Sequence, residues 1–65
     1  MIITADCLLP LDVGKKCNQL MWRWYYDSKT GMCNMFTYSG CRGNNNNFAD
    51  VKSCLWLCAS VGKIK

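Results

Sequence analysis

The sequence contains no histidine. The side chain that most readily exchanges a proton near neutral pH is therefore missing, both as a general base and as a zinc ligand. Carboxylates are scarce as well. Four aspartates, Asp6, Asp12, Asp27 and Asp50, are scattered along 65 residues. No N-x-[ST] acceptor occurs among Asn18, Asn34 and Asn44 to Asn47, so N-glycosylation is not expected. No apolar run approaches the length of a membrane span, and no membrane insertion is expected. Met1 to Ala5 is too short for a hydrophobic targeting region, so the sequence reads as a mature or trimmed chain. Internal repeats and linkers are also absent, which leaves one domain. Catalysis is poorly served by this inventory, and no enzymatic activity is expected.

Cysteine is what the sequence has in excess. Six occur in a chain too short to bury a robust apolar core. An even count in so short a chain points to three disulfides, and hence to a secreted, extracellular protein. Zinc is the competing explanation. Structural zinc sites usually show closely spaced cysteine pairs, often joined by histidine. Here the closest pair is Cys54 and Cys58, and no metal or other cofactor is expected.

The net charge is +4, carried by Lys15, Lys16, Arg23, Lys29, Arg42, Lys52, Lys63 and Lys65 against the four aspartates. Only Lys15 with Lys16, and Lys63 with Lys65, form local clusters. That spread is a solvated surface and not a nucleic-acid stripe.

The chain divides into short elements. Asp6 to Lys16, with Pro10 and Gly14, reads as an extended loop pinned at Cys7 and Cys17. Met21 to Tyr26 is aromatic and strand-prone. Ser28-Lys29-Thr30-Gly31 is a turn. Met32 to Tyr38 is a second strand, with Cys33, Met35 and Thr37 on one face and Asn34, Phe36 and Tyr38 on the other. Ser39 to Asn47 is a compact, turn-rich loop, because asparagine bonds nearby backbone groups. Asp50 can cap a short helix, on which Val51, Cys54, Leu55 and Cys58 share one apolar face. Tyr25 and Phe48 are expected in the core, and Trp22 and Trp56 are candidates for exposure. The fold class is therefore a small disulfide-rich α+β domain. It comprises a twisted antiparallel β-hairpin and a short C-terminal helix over residues 6–58, with short flexible termini at 1–5 and 59–65. Each disulfide would add roughly 2–4 kcal/mol by restricting the unfolded chain.

Two tripeptides resemble functional motifs and are set aside. Lys29-Thr30-Gly31 matches a β-lactamase fragment whose partner motifs are absent. Arg42-Gly43-Asn44 resembles an integrin-binding tripeptide but lacks the carboxylate that would meet a metal.

The whole cysteine frame is more specific. Its intervals hold nine, fifteen, seven, twelve and three residues. With Gly31, and with the run Phe36-x-Tyr38-x-Gly40-Cys41-x-Gly43-Asn44-x-Asn46-x-Phe48, it closely resembles the Kunitz (pancreatic trypsin inhibitor) family from Cys7 to Cys58. Spacing alone leaves the pairing open. The resemblance implies Cys7 with Cys58, Cys17 with Cys41, and Cys33 with Cys54.

The resemblance also implies a function: inhibition of an extracellular serine protease by a rigid loop that enters the enzyme cleft like a substrate. By that alignment the reactive-site loop comprises Lys15, Lys16, Cys17, Asn18, Gln19, Leu20 and Met21, with Asn18 at the primary specificity position. A secondary contact loop comprises Ser39, Gly40, Cys41 and Arg42. The sequence departs from the family here. Nine residues separate the first two cysteines where the family has eight, which leaves an extra lysine, Lys15 or Lys16, before Cys17. Gln19 stands where alanine or glycine is usual, and Ser39 replaces a usual glycine. Asn18 has neither the length nor the charge to meet an aspartate in a trypsin-like pocket, so weak action on trypsin is expected. The alternative is a non-inhibitory Kunitz scaffold that binds an ion channel or another extracellular protein, with Lys15 and Lys16 as the seeking cations. Inhibition of a cysteine protease is a further option. In each case the chain is expected to be a monomer.

Overall fold

A computed structural model describes residues 4–59. A 3-10 turn at Thr4–Leu8 leads into strand β1 (Lys15–Asp27), strand β2 (Met32–Cys41) and helix α1 (Val51–Cys58). The strands form a two-stranded antiparallel sheet, and Phe48 adds an isolated bridge to the outer edge of β1 at Trp24. That bridge is reciprocal: Trp24 and Phe48 exchange N–H···O bonds of 2.9 and 2.8 Å.

The hairpin turn is organised by Asp27. Its carboxylate accepts from the Lys29 N–H at 3.0 Å, and its carbonyl accepts from Gly31 N–H at 2.7 Å. The Asp50 carboxylate caps α1 by accepting from Ser53 N–H at 2.8 Å, as expected. All three disulfides have the pairing that the family resemblance implied.

Strand periodicity decides which aromatics are buried. Trp22, Trp24 and Tyr26 lie opposite Thr37, Met35 and Cys33 on one face. The Cys33–Cys54 bridge ties α1 to that face, and Tyr26 is 2% exposed beneath it. The core consists of Cys7, Tyr26, Cys54 and Cys58, with Trp24, Cys33, Phe48 and Leu57 packed around them. Trp22 lies beyond the helix and is 68% exposed, and Trp56 is exposed on the outer side of α1. The opposite sheet face carries Tyr25, Phe36 and Tyr38 in an edge-to-face series.

Several expectations change in detail. Tyr26, not Tyr25, is the core tyrosine, because its parity places it under the helix. Tyr25 is half-buried on the other face. Leu55 is exposed, and Leu57 packs in its place. The two residues flank the Cys54–Cys58 row at about equal angles, so periodicity cannot choose between them. The segment from Asp6 to Lys16 is not one extended loop. Its start is a 3-10 turn, and Lys15 and Lys16 already belong to β1, where they pair with Cys41 and Gly40 of β2. Thr4 and Ala5, read as part of a flexible terminus, open that turn, and Ala59 caps α1. The remaining terminal residues, 1–3 and 60–65, lie outside the described residues.

Asp50 makes stability depend on pH. The Ser53 backbone N–H, and next the Ser53 side chain, hold its carboxyl below the ordinary value. A carboxyl with a depressed folded pKa contributes stability that is fully present above its unfolded value of about 3.9. The contribution is lost as pH falls through the lower folded value. Asp50→Asn retains a capping oxygen at every pH. Thermal unfolding scans between pH 5 and pH 2 should therefore show a smaller drop in Tm for Asp50→Asn than for wild type. Parallel curves would remove Asp50 from the account.

Candidate binding loop

The register of the sheet is interrupted at one place. Lys15 pairs with Cys41 and Lys16 with Gly40; regular pairing resumes only at Met21 with Tyr38. Four residues, Cys17 to Leu20, thus stand opposite Ser39 alone. The surplus length must leave the plane of the ladder. Cys17, Gln19 and Leu20 are exposed, as are Lys15 and Lys16, whereas Met21 is half-buried where pairing resumes. Asn18 lies within the excursion by chain position. The Cys17–Cys41 disulfide, with a Cα–Cα separation of 5.8 Å, ties its base to β2.

Three chain segments meet behind this excursion, and Tyr38 is where they meet. Its hydroxyl donates to the Arg42 carbonyl. Arg23 lies 5.7 Å from the ring centroid, and the Phe36 ring packs edge-on at 6.5 Å. The first segment is held against β2 by Ser39 N–H donating to the Val13 carbonyl at 2.8 Å. The Asp12 carboxylate in turn accepts from Gly14 N–H at 3.0 Å. Gly14 has φ +79° and passes so near that an added Cβ would overlap the Cys41 carbonyl oxygen and lie 2.7 Å from the Tyr38 ring. Arg42 is the one non-glycine residue of positive φ (+64°) among the described residues, and it is exposed. Such a backbone state costs about 1 kcal/mol or more for a residue with a Cβ.

The asparagine-rich segment ties the first segment to the sheet. Asn46 is 1% exposed. Its side chain accepts from Tyr26 N–H at 2.8 Å and donates to the Tyr26 and Leu9 carbonyls at 3.0 and 2.9 Å. Asn44 donates to the Pro10 carbonyl at 2.9 Å. The segment before the tip is therefore hydrogen-bonded along much of its length.

The structure brings both expected loops to one end of the molecule. Ser39, Gly40 and Cys41 are half-buried beside the exposed stretch from Lys15 to Leu20, and Arg42 projects at the margin. The extra residue before Cys17 is accommodated as strand, since Lys15 and Lys16 both find partners in β2. The parts that sequence reasoning missed are supporting ones. Tyr38 was legible as a signature residue, but not as the stop for two loops. Val13 carried no signal at all.

This geometry defines a class of protein: a small disulfide-stapled scaffold with an exposed loop tied to its second strand. The Kunitz/Bovine pancreatic trypsin inhibitor domain profile matches residues 6–59, and the chain belongs to that family. It is 52% identical over 56 residues to U-actitoxin-Avd3s of Anemonia viridis, a match spanning 86% of this chain and 69% of the relative. Among solved structures, a cone snail toxin studied for a lid blocking mechanism superposes with a TM-score of 0.80 at 38% identity, covering 85% of this chain and 92% of that one. A second, from work on pore-modulating toxins that block K+ channels, gives a TM-score of 0.79 at 37% identity, covering 83% and 90%.

The tight approach at Gly14 can be tested against a looser glycine. Gly14→Ala combines left-handed strain with overlap on backbone and should cost about 2–4 kcal/mol. Gly31 also has positive φ, but an added Cβ would meet only the Tyr26 hydroxyl, at 3.8 Å. Gly31→Ala should therefore cost only about 1–2 kcal/mol. Guanidinium unfolding with disulfides intact measures both, and equal losses would contradict the packing described at the tip.

Proposed function

We propose that the chain is a secreted, monomeric inhibitor of an extracellular serine protease, acting by binding and not by catalysis. The observation that carries this reading is the excursion of Cys17 to Leu20 from the ladder, bracketed by strand pairs and stapled by Cys17–Cys41. A loop held in one extended shape before binding loses little entropy on entering a protease cleft. If its peptide bond were cut, the disulfide and the flanking strand pairs would keep the ends in place. Asn18 occupies the primary specificity position in this reading, with Gln19 and Leu20 on the leaving-group side. Ser39 to Arg42 form the second contact.

Asn18 argues against a trypsin-like target. Its amide would leave the pocket's buried carboxylate without a charged partner, a loss of several kcal/mol. The favoured target has a pocket that accepts a short, neutral, polar side chain.

A second reading has its own support. The similarity to a toxin from work on K+ channel block, together with the exposed pair Lys15 and Lys16 at the tip, favours a channel mouth as the partner. In that case the loop's shape is retained while its contacts serve another surface.

Trypsin distinguishes the two readings. Wild type should not inhibit it at nanomolar concentration. Asn18→Lys should create measurable inhibition, and adding Gln19→Ala and deletion of Lys16 should strengthen it at least about tenfold, without simple additivity because the sites touch. The measurement is an inhibition series with the disulfides confirmed in each variant, run beside a panel of serine and cysteine proteases. Nanomolar inhibition by wild type would contradict the role given to Asn18. No trypsin binding in the triple variant would mean that the loop is not substrate-like, and the channel reading would take precedence.

A further inference from the structure

The molecule is elongated, 38 × 22 × 17 Å. The tip carries Lys15, Lys16 and Arg42, all exposed, against one carboxylate, Asp12, which already bonds Gly14 N–H. The other aspartates lie away from the tip: Asp27 at the hairpin turn, Asp50 at the start of α1, and Asp6 beside the Cys7–Cys58 bridge. Asp27 is at the opposite end of the hairpin from Lys15, well beyond the Debye length of about 8 Å at physiological salt, and does not offset the charge of the tip. The tip therefore presents its positive charge to the outside.

The same end exposes apolar side chains. Leu20 is 60% and Trp22 68% exposed, at and just beyond the excursion. Leu11 and Val13 are exposed on the segment that crosses the opposite sheet face beside Tyr38. Apolar groups thus occur on both flanks of the tip, interspersed with cations. Tryptophan and leucine beside lysine and arginine are the composition that settles at a bilayer surface, with rings at the acyl boundary and cations among anionic headgroups.

We propose that the tip docks end-on to an anionic lipid surface, with Lys15, Lys16 and Arg42 against the headgroups and Leu20 and Trp22 entering the acyl boundary. The contact is peripheral; no helix among the described residues is long and apolar enough to cross a membrane. Charge complementarity selects this occupant, because the exposed cations Lys15, Lys16 and Arg42 share one end with Leu20 and Trp22, and Asp27, Asp50 and Asp6 lie elsewhere.

Sedimentation with large unilamellar vesicles tests this directly. Vesicles of phosphatidylcholine with about 30% phosphatidylserine should bind the protein at least about tenfold more strongly than phosphatidylcholine alone, at about 0.1 M salt. Lys15→Ala with Lys16→Ala should lower that binding about tenfold. Lys29→Ala with Lys52→Ala removes the same charge from elsewhere and should change it less than about twofold. Trp22→Ser should weaken binding about fivefold, since an interfacial side chain is lost. Retained disulfides and near-ultraviolet circular dichroism establish that each variant is folded. Equal losses from the two lysine pairs, insensitivity to Trp22→Ser, or no preference for phosphatidylserine would each overturn the proposal. Equally strong binding to soluble poly-L-glutamate would assign the tip to an acidic polypeptide instead. The assay contains no protease, so the lipid proposal and the inhibitory reading stand or fall separately.

Discussion

Sulfur does the work that a hydrocarbon core does in larger domains. Of the four residues in the central cluster, Cys7, Cys54 and Cys58 are half-cystines and only Tyr26 is not. The bridges therefore fill the interior as well as restrict the unfolded chain. A chain of this size has too little apolar surface to hold a hairpin and a two-turn helix together by burial alone. With the bridges in place, long aromatic side chains are not all needed for the interior. Trp22 and Trp56 can stay exposed because the core does not need them.

The bridges alone do not shape the tip. Cys17–Cys41 joins two strands, but it leaves the path of the first segment open. That path is set by polar contacts and by one ring. Val13 is bonded to Ser39, Gly14 is pressed on Tyr38 and Cys41, and Tyr38 holds the Arg42 carbonyl. Buried Asn46 ties the segment at Leu9 to β1 at Tyr26. All but the Tyr38–Arg42 contact span residues distant in sequence, so the path of the chain at the tip is a property of the folded molecule. The same end exposes Lys15, Lys16, Arg42, Leu20 and Trp22, residues that contribute little to the core.

Much of this was written in the chain. Six cysteines in so short a chain indicated a stapled domain, and the three disulfides bear it out. Alternating aromatics, the Ser28 to Gly31 turn and Asp50 placed the hairpin and helix, because these signals are local. The signature around Cys41 implied the pairing that spacing could not. Long-range choices were not legible. Tyr25 and Tyr26 are adjacent and chemically identical; only the docking of α1 on one sheet face makes Tyr26 the buried one. Leu55 and Leu57 are equivalent by helical periodicity, and the core's position decided between them. The extra lysine was visible as a count, but its accommodation as strand paired with Gly40 and Cys41 required the register of β2. Sequence fixes local conformation and the inventory of groups, whereas the packing of distant segments decides which of those groups are buried, which are clamped and which face a partner.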